Sequence, residues 1–142
     1  MYNQAAKNKD LANAIVDAII DYNKDLILLA LSGSKMVDSA REKGVKCASE
    51  VFADRAYEAD GSLRARSLEN SMITDEDLAV ERVIKMVKTG KVTAYTGEEI
   101  DIEAHSVCVH GDSEKAFVFV QKLNEAFSKN GIETVGLIEA IK

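Results

Sequence analysis

The sequence predicts an α/β fold of parallel strands alternating with helices. Three observations carry this. Strand-like apolar runs alternate with segments of helical period, each run ends in a polar turn, and the helical segments stop at Gly44, Gly90 and Gly131. The 142 residues, 46% hydrophobic and 30% charged, are enough for one domain that buries a core without disulfides. No internal repeat, low-complexity tract or linker interrupts them, so a single domain over 1–142 is the simplest organisation.

Each element follows from local pattern. Leu11, Ile15, Ala18, Ile19 and Tyr22 recur at helical spacing behind Asn8, a good N-cap, and predict an opening amphipathic helix. Residues 26–31 are continuously apolar and read as a fully buried strand, broken by Ser32-Gly33-Ser34. A helix over about 35–43 and a strand over 46–53 follow. Thr74 caps a helix over about 75–88 whose inner face is Ala79, Val83, Met86 and Val87. Gly97 centres a short hairpin of 92–95 with 99–102, and 106–110 reads as a further strand. The last helix starts near Asp112 and turns Ala116, Phe117, Val120, Leu123 and Phe127 inward; the apolar stretch 132–137 is compatible with a final strand. Residues 54–73 fit neither period, and a loop of that length in a compact domain is usually functional or flexible.

Composition excludes several classes of function. Eighteen basic residues against 24 acidic give a net charge of −6 with no basic block, which argues against nucleic acid and anionic membranes as partners. The longest apolar run is far too short for a bilayer span and the N-terminus is polar, so the chain reads as soluble and cytoplasmic. Cys47 and Cys108 stand singly in apolar segments, without CxxC spacing, and read as buried reduced thiols. There is no proline, where average usage gives about seven.

In parallel α/β folds ligands meet the loops beyond the carboxyl ends of the strands, and three such ends here are polar. Ser32-Gly33-Ser34 is either a turn and helix cap or a ligand loop. Glu50 sits in an apolar strand on the face of Phe52, so its carboxylate meets a polar cavity or a buried cation. Arg55, Arg64 and Arg66 concentrate positive charge in the long loop as an anion clamp, although Arg64 reads better as a partner of Glu58, Asp60 or Glu69. His110 and Asp112 flank Gly111 on one side of a strand end, which suits acid-base work or metal ligation; Asp112 serves equally as an N-cap. His105 faces the other side and reads as structural, Cys108 is a poor nucleophile, and no metal-ligand cluster, phosphate loop or Ser-His-Asp spacing appears.

Three ordered motifs resemble one family over the whole chain. Glu50-Val51-Phe52-Ala53-Asp54-Arg55-Ala56-Tyr57, then Asp60-Gly61-x-Leu63-x-x-Arg66, then Val107-Cys108-Val109-His110-Gly111-Asp112 are similar to the LamB/YcsF family, as is Met1-Tyr2-Asn3 at the start. The resemblance implies part of an irregular TIM-like (β/α) barrel of the glycoside hydrolase/deacetylase type. It implies ATP-dependent opening of the 5-oxo-L-proline lactam to L-glutamate, with ATP and Mg²⁺ and with 5-oxoprolinase subunits B and C as partners. Glu50, Asp54, His110 and Asp112 are then the catalytic candidates, and Arg55, Tyr57 and Arg66 the substrate- or phosphate-binding ones; no protein-bound metal is expected.

Departures from the family pattern are specific. Its acidic and His-rich upstream motifs are absent, so the chain corresponds to the C-terminal half of a member and is expected to self-associate or dock on a separate N-terminal half. Arg64-Ala65 stands where the family has Val-Pro, and Asn70-Ser71 where it has Gly-Ala. Two alternatives to a role in 5-oxoprolinase stand beside it. One is a non-catalytic α/β remnant that binds a small anion or a partner protein, and the other a metal-dependent deacylase or carbohydrate-active enzyme suggested by fold relatives alone.

Overall fold

The computed structural model describes residues 1–111 and 116–142. Its elements run α1 (Tyr2–Ala5), α2 (Lys9–Asn23), β1 (Leu28–Leu31), α3 (Lys35–Glu42), β2 (Cys47–Phe52), α4 (Glu76–Thr89), β3 (Lys91–Thr93), β4 (Glu99–Asp101), β5 (Ser106–Cys108), α5 (Ala116–Lys129) and α6 (Leu137–Ala140). β1, β2 and β5 form a parallel sheet in the order β1-β2-β5, while β3 and β4 form an antiparallel hairpin turned by Gly97. The predicted alternation of parallel strands and helices is what the chain adopts. No helix among the described residues is long and apolar enough to cross a membrane.

Helices α2 and α3 join on one flank through Val16, Ala40 and Val45, which pack with Leu28 and Cys47. On the other flank α4 and α5 bring Val83 and Leu123 against Ala53, with Val107 and Val109 packed beside them. The α2 helix starts as its sequence dictates, with the Asn8 side chain accepting the Leu11 N–H at 3.0 Å. Its inner face is Leu11, Ala12, Ile15, Val16 and Ile19, so Leu11, Ile15 and Ile19 lie where the period places them, while Ala18 and Tyr22 point to solvent. The cap of α4 is Asp75 rather than Thr74: Asp75 Oδ1 accepts from both Asp77 N and Leu78 N at 3.0 Å. Gly90 ends that helix at φ 64°, and its carbonyl then takes the Ile102 N–H at 2.8 Å as the hairpin begins.

Three further expectations change. β1 is shorter than 26–31 and only half sheltered, because among the described residues it has a strand neighbour on one side alone; Leu26 and Leu29 are 43% and 39% exposed. In α5 the inward row is Phe119, Leu123 and Phe127, spaced four apart, and Phe117 is 71% exposed. Residues 116–120 are apolar on every side, so period alone cannot set the phase, and Phe117 lies opposite Phe119. Residues 132–136 form no strand: a cavity of about 480 Å³ lies between them and β5, where a ladder partner would sit.

The long segment 54–73 is folded on itself. Antiparallel bridges join Arg55 to Met72 and Tyr57 to Leu63, and the Ile73 and Ala56 N–H groups donate to Asp54 O and Ser71 O at 2.8 and 3.0 Å. Both departures from the family pattern fit this geometry. Asn70 adopts φ 55°, the left-handed region that glycine enters freely and asparagine tolerates best among the other residues. Arg64 donates to Glu69 O at 2.9 Å, pairs with Glu58 at 2.8 Å and stacks 3.5 Å over the Tyr95 ring.

Candidate functional site

Strand register brings the site together. β2 and β5 run parallel with Phe52 opposite Cys108. Two residues beyond each, Asp54 and His110 leave the sheet side by side, and His110 Nδ1 lies 2.9 Å from Asp54 Oδ2. The sequence places His110 with Asp112; the structure joins it to Asp54, and Asp112 falls outside the described residues. A carboxylate only accepts, so this bond puts the hydrogen on Nδ1 and leaves Nε2 as the basic nitrogen. The imidazole is further located by the Phe52 ring, 6.0 Å away between centroids.

His110 forms part of a cleft of about 360 Å³ that also takes in Tyr2, Asn3, Glu50, Phe52, Arg55, Leu63 and Arg66. Glu50 therefore meets a polar cavity rather than a buried cation. Its Oε2 accepts the Tyr2 hydroxyl at 2.7 Å, and it makes no ion pair among the described residues. The cleft thus has an imidazole–carboxylate pair and a second carboxylate on one wall, with guanidinium groups from the long loop on another.

The two clamp arginines have different environments. Arg55 is only 4% exposed: its Nε donates to Ser71 O at 3.4 Å and its Nη2 to Arg64 O at 2.5 Å. Burial, reinforced by the Arg66 charge, holds its pKa below the ordinary guanidinium value. Arg66 is exposed at the cleft and makes no ion pair among the described residues. Tyr57 does not reach the cleft. It is fully buried with its oxygen accepting the Phe52 N–H at 2.9 Å, and burial pushes its phenol up to about 12, so it supports the end of β2 from beneath.

Other candidates resolve as structural. Ser32 Oγ accepts the Glu103 N–H at 2.9 Å and Gly33 takes φ 71°, as a tight turn requires. His105 Nδ1 accepts the Ser49 N–H at 3.1 Å on the far side of the sheet end. Tyr2 and Asn3 line the cleft without any chemical signal in their spacing; the resemblance of Met1-Tyr2-Asn3 to the family is the sole pointer to them.

Cys47 and Cys108 are free and half-buried. Burial pushes both thiols from 9.0 to about 11, and the charges of Glu50 and Asp54 add to the shift at Cys108. At pH 8 the native thiolate fraction is then roughly a hundredfold below that of an ordinary cysteine. Iodoacetamide labelling of the folded chain at pH 8 is expected to be slower by about that factor than in urea; equal rates would show an accessible, activated thiol.

A parallel sheet whose strands alternate with helices is the architecture of TIM-like barrels, and the fold comparison agrees. The lactam utilization protein from Thermus thermophilus superposes with a TM-score of 0.82 at 33% identity, over 94% of this chain and 53% of that one. The chain belongs to the LamB/YcsF family, which it matches over residues 1–142. It is 53% identical over 137 residues to the A subunit of 5-oxoprolinase from Clostridium beijerinckii, covering 96% of this chain and 54% of that protein. It is 50% identical over 141 residues to the protein of the same name from Fusobacterium nucleatum, covering 99% and 55%. The chain spans about half the length of the curated relatives it matches.

Proposed function

We propose that this chain supplies the cleft of a 5-oxoprolinase A subunit, in which the lactam of 5-oxo-L-proline is opened to L-glutamate with hydrolysis of ATP. The bond between His110 and Asp54, at the edge of a cleft that also contains Glu50 and Arg66, is the observation that carries this reading. A lactam is a stable amide, so water needs both a base and an activated carbonyl. With ATP bound, transfer of its γ-phosphoryl group to the amide oxygen would make the ring carbon electrophilic; water would add there, the C–N bond would break to leave a γ-acyl phosphate, and a second water would release inorganic phosphate and L-glutamate. His110 Nε2, oriented by Asp54, takes the proton from attacking water. Glu50 and Asp112 are the remaining carboxylates for proton transfer to and from the ring nitrogen. Arg66 meets the substrate carboxylate or a phosphate oxygen, and Arg55 holds the loop that presents it.

Among the described residues no group of three or more His, Cys, Asp and Glu side chains is placed to hold a metal ion. In this scheme Mg²⁺ enters with the phosphates of ATP. The relatives are named as one lettered part of a larger enzyme, which supports a multi-subunit assembly, and subunits B and C are the proposed partners. The open edge of β1 and the exposed Leu26 and Leu29 would be covered by self-association or by a separate N-terminal half.

The test is release of inorganic phosphate and L-glutamate that depends on 5-oxo-L-proline. It is measured for the chain alone, with a polypeptide supplying the portion of the relatives it does not span, and with subunits B and C added. Turnover is expected in the complete assembly. Binding of 5-oxo-L-proline without turnover in that assembly would instead support a non-catalytic binding remnant, and a tightly bound divalent metal with deacylase activity would support the third alternative.

A further inference from the structure

Glu50 is a flexible side chain which, among the described residues, has no cation to hold it. A carboxylate free to change rotamer at a cleft wall is misplaced for part of the time, and a displacement of an ångström can remove most of its catalytic value. Among the described residues the Tyr2 hydroxyl restrains it, donating to Glu50 Oε2 at 2.7 Å, with the Cys108 thiol beside the same carboxylate. Tyr2 is itself held. Its ring meets Phe52 edge-on, with centroids 6.2 Å apart at 70°. The helix that carries it is anchored by the fully buried Ala5 and by the Lys35 N–H, which donates to Ala6 O at 2.9 Å. Glu50 and Phe52 are two apart on β2 and share a face, so one tyrosine grips both, the ring on Phe52 and the hydroxyl on Glu50.

We infer that Tyr2 is a positioning residue, which selects the Glu50 rotamer presented to the cleft. Burial of the phenol and the adjacent Glu50 carboxylate raise its pKa well above the ordinary tyrosine value, so the hydroxyl remains a donor across the working range of pH. Tyr2 acts only through Glu50, and this role therefore rests on the proposed function.

The informative variant is Tyr2→Phe, which keeps the ring against Phe52 and deletes the donor. In the assembly that turns over 5-oxo-L-proline, kcat is expected to fall roughly 10- to 100-fold, the value of one hydrogen bond to a charged group. KM should hold, and the unfolding midpoint should fall by no more than one such hydrogen bond is worth. In a Glu50→Gln background the same substitution should add nothing, since the two side chains act as one unit. A silent Tyr2→Phe, or an equal loss in both backgrounds, overturns the role, and so does full turnover in Glu50→Gln. A second measurement needs no turnover. In the chain labelled with ¹³C at glutamate carboxylates, the Glu50 signal, identified by its loss in Glu50→Gln, should move in Tyr2→Phe and stay put in Tyr22→Phe. An unmoved signal removes the contact whatever the cleft catalyses; a moved signal with no turnover in the complete assembly leaves the contact standing and removes the proposed function.

Discussion

Replacing His110 by alanine is expected to lower turnover of 5-oxo-L-proline by about 10²- to 10⁴-fold, the usual worth of a positioned general base. The imidazole is half-exposed at the cleft and its hydrogen bond goes to Asp54, so little packing is lost and the fold should survive. Asp54→Asn is the sharper variant. The carboxylate can only accept from Nδ1, whereas an asparagine amide can donate to it and so stabilise the other tautomer, with the hydrogen on Nε2. Shape is kept and the basic nitrogen is lost. Both variants should therefore lower kcat with modest change in KM, and exogenous imidazole should partly restore His110→Ala but not Asp54→Asn. Wild-type kcat in either variant would remove the pair from the chemistry.

This pair also marks where sequence reasoning stops. That His110 is a candidate follows from its place at a strand end, and that Asp54 is one follows from the loop that begins there. Their contact depends on register, Phe52 opposite Cys108, and register is a property of two strands separated by more than fifty residues. Local spacing offers Asp112 as the partner because it lies two residues away. Elements legible in the chain are those where one local preference dominates: Asn8 before α2, Gly90 after α4, the apolar run of β2. Errors arise where two signals compete. Thr74 and Asp75 are both good caps, and the aspartate wins by accepting two N–H groups. In α5 the apolar residues surround the helix, and contact with Val83 and Ala53, not period, selects Phe119 over Phe117. The segment 54–73 lacks a period because isolated bridges and side chains organise it: beside the Arg55–Met72 and Tyr57–Leu63 bridges, the Arg55 guanidinium reaches two carbonyls nine and sixteen residues away.

Arg55 and Arg66, indistinguishable by residue type, should accordingly fail in different ways. Arg55→Met keeps the aliphatic stem but takes the side-chain donor from the Arg64 carbonyl and leaves the Ser71 carbonyl with the Ala56 N–H alone. The loss of the Arg64 donor makes a fall of about 1–3 kcal/mol in urea unfolding the expected outcome. The Arg55 carbonyl is also tied to α4, through Arg82 Nη2 at 3.2 Å, so disorder at Arg55 should spread toward Met72 and carry Arg66 out of the cleft. Turnover is then lost as a consequence of structure. Arg66→Ala removes an exposed side chain and should leave unfolding within about 0.5 kcal/mol of wild type. Its effect belongs in KM for 5-oxo-L-proline or for ATP, raised roughly 10- to 100-fold by the loss of a charged hydrogen-bond partner. Which of the two constants moves identifies the anion that Arg66 holds. Unfolding by Arg66→Ala together with a stable, weakly binding Arg55→Met would reverse the roles, making the buried guanidinium the ligand contact and the exposed one the brace of the loop.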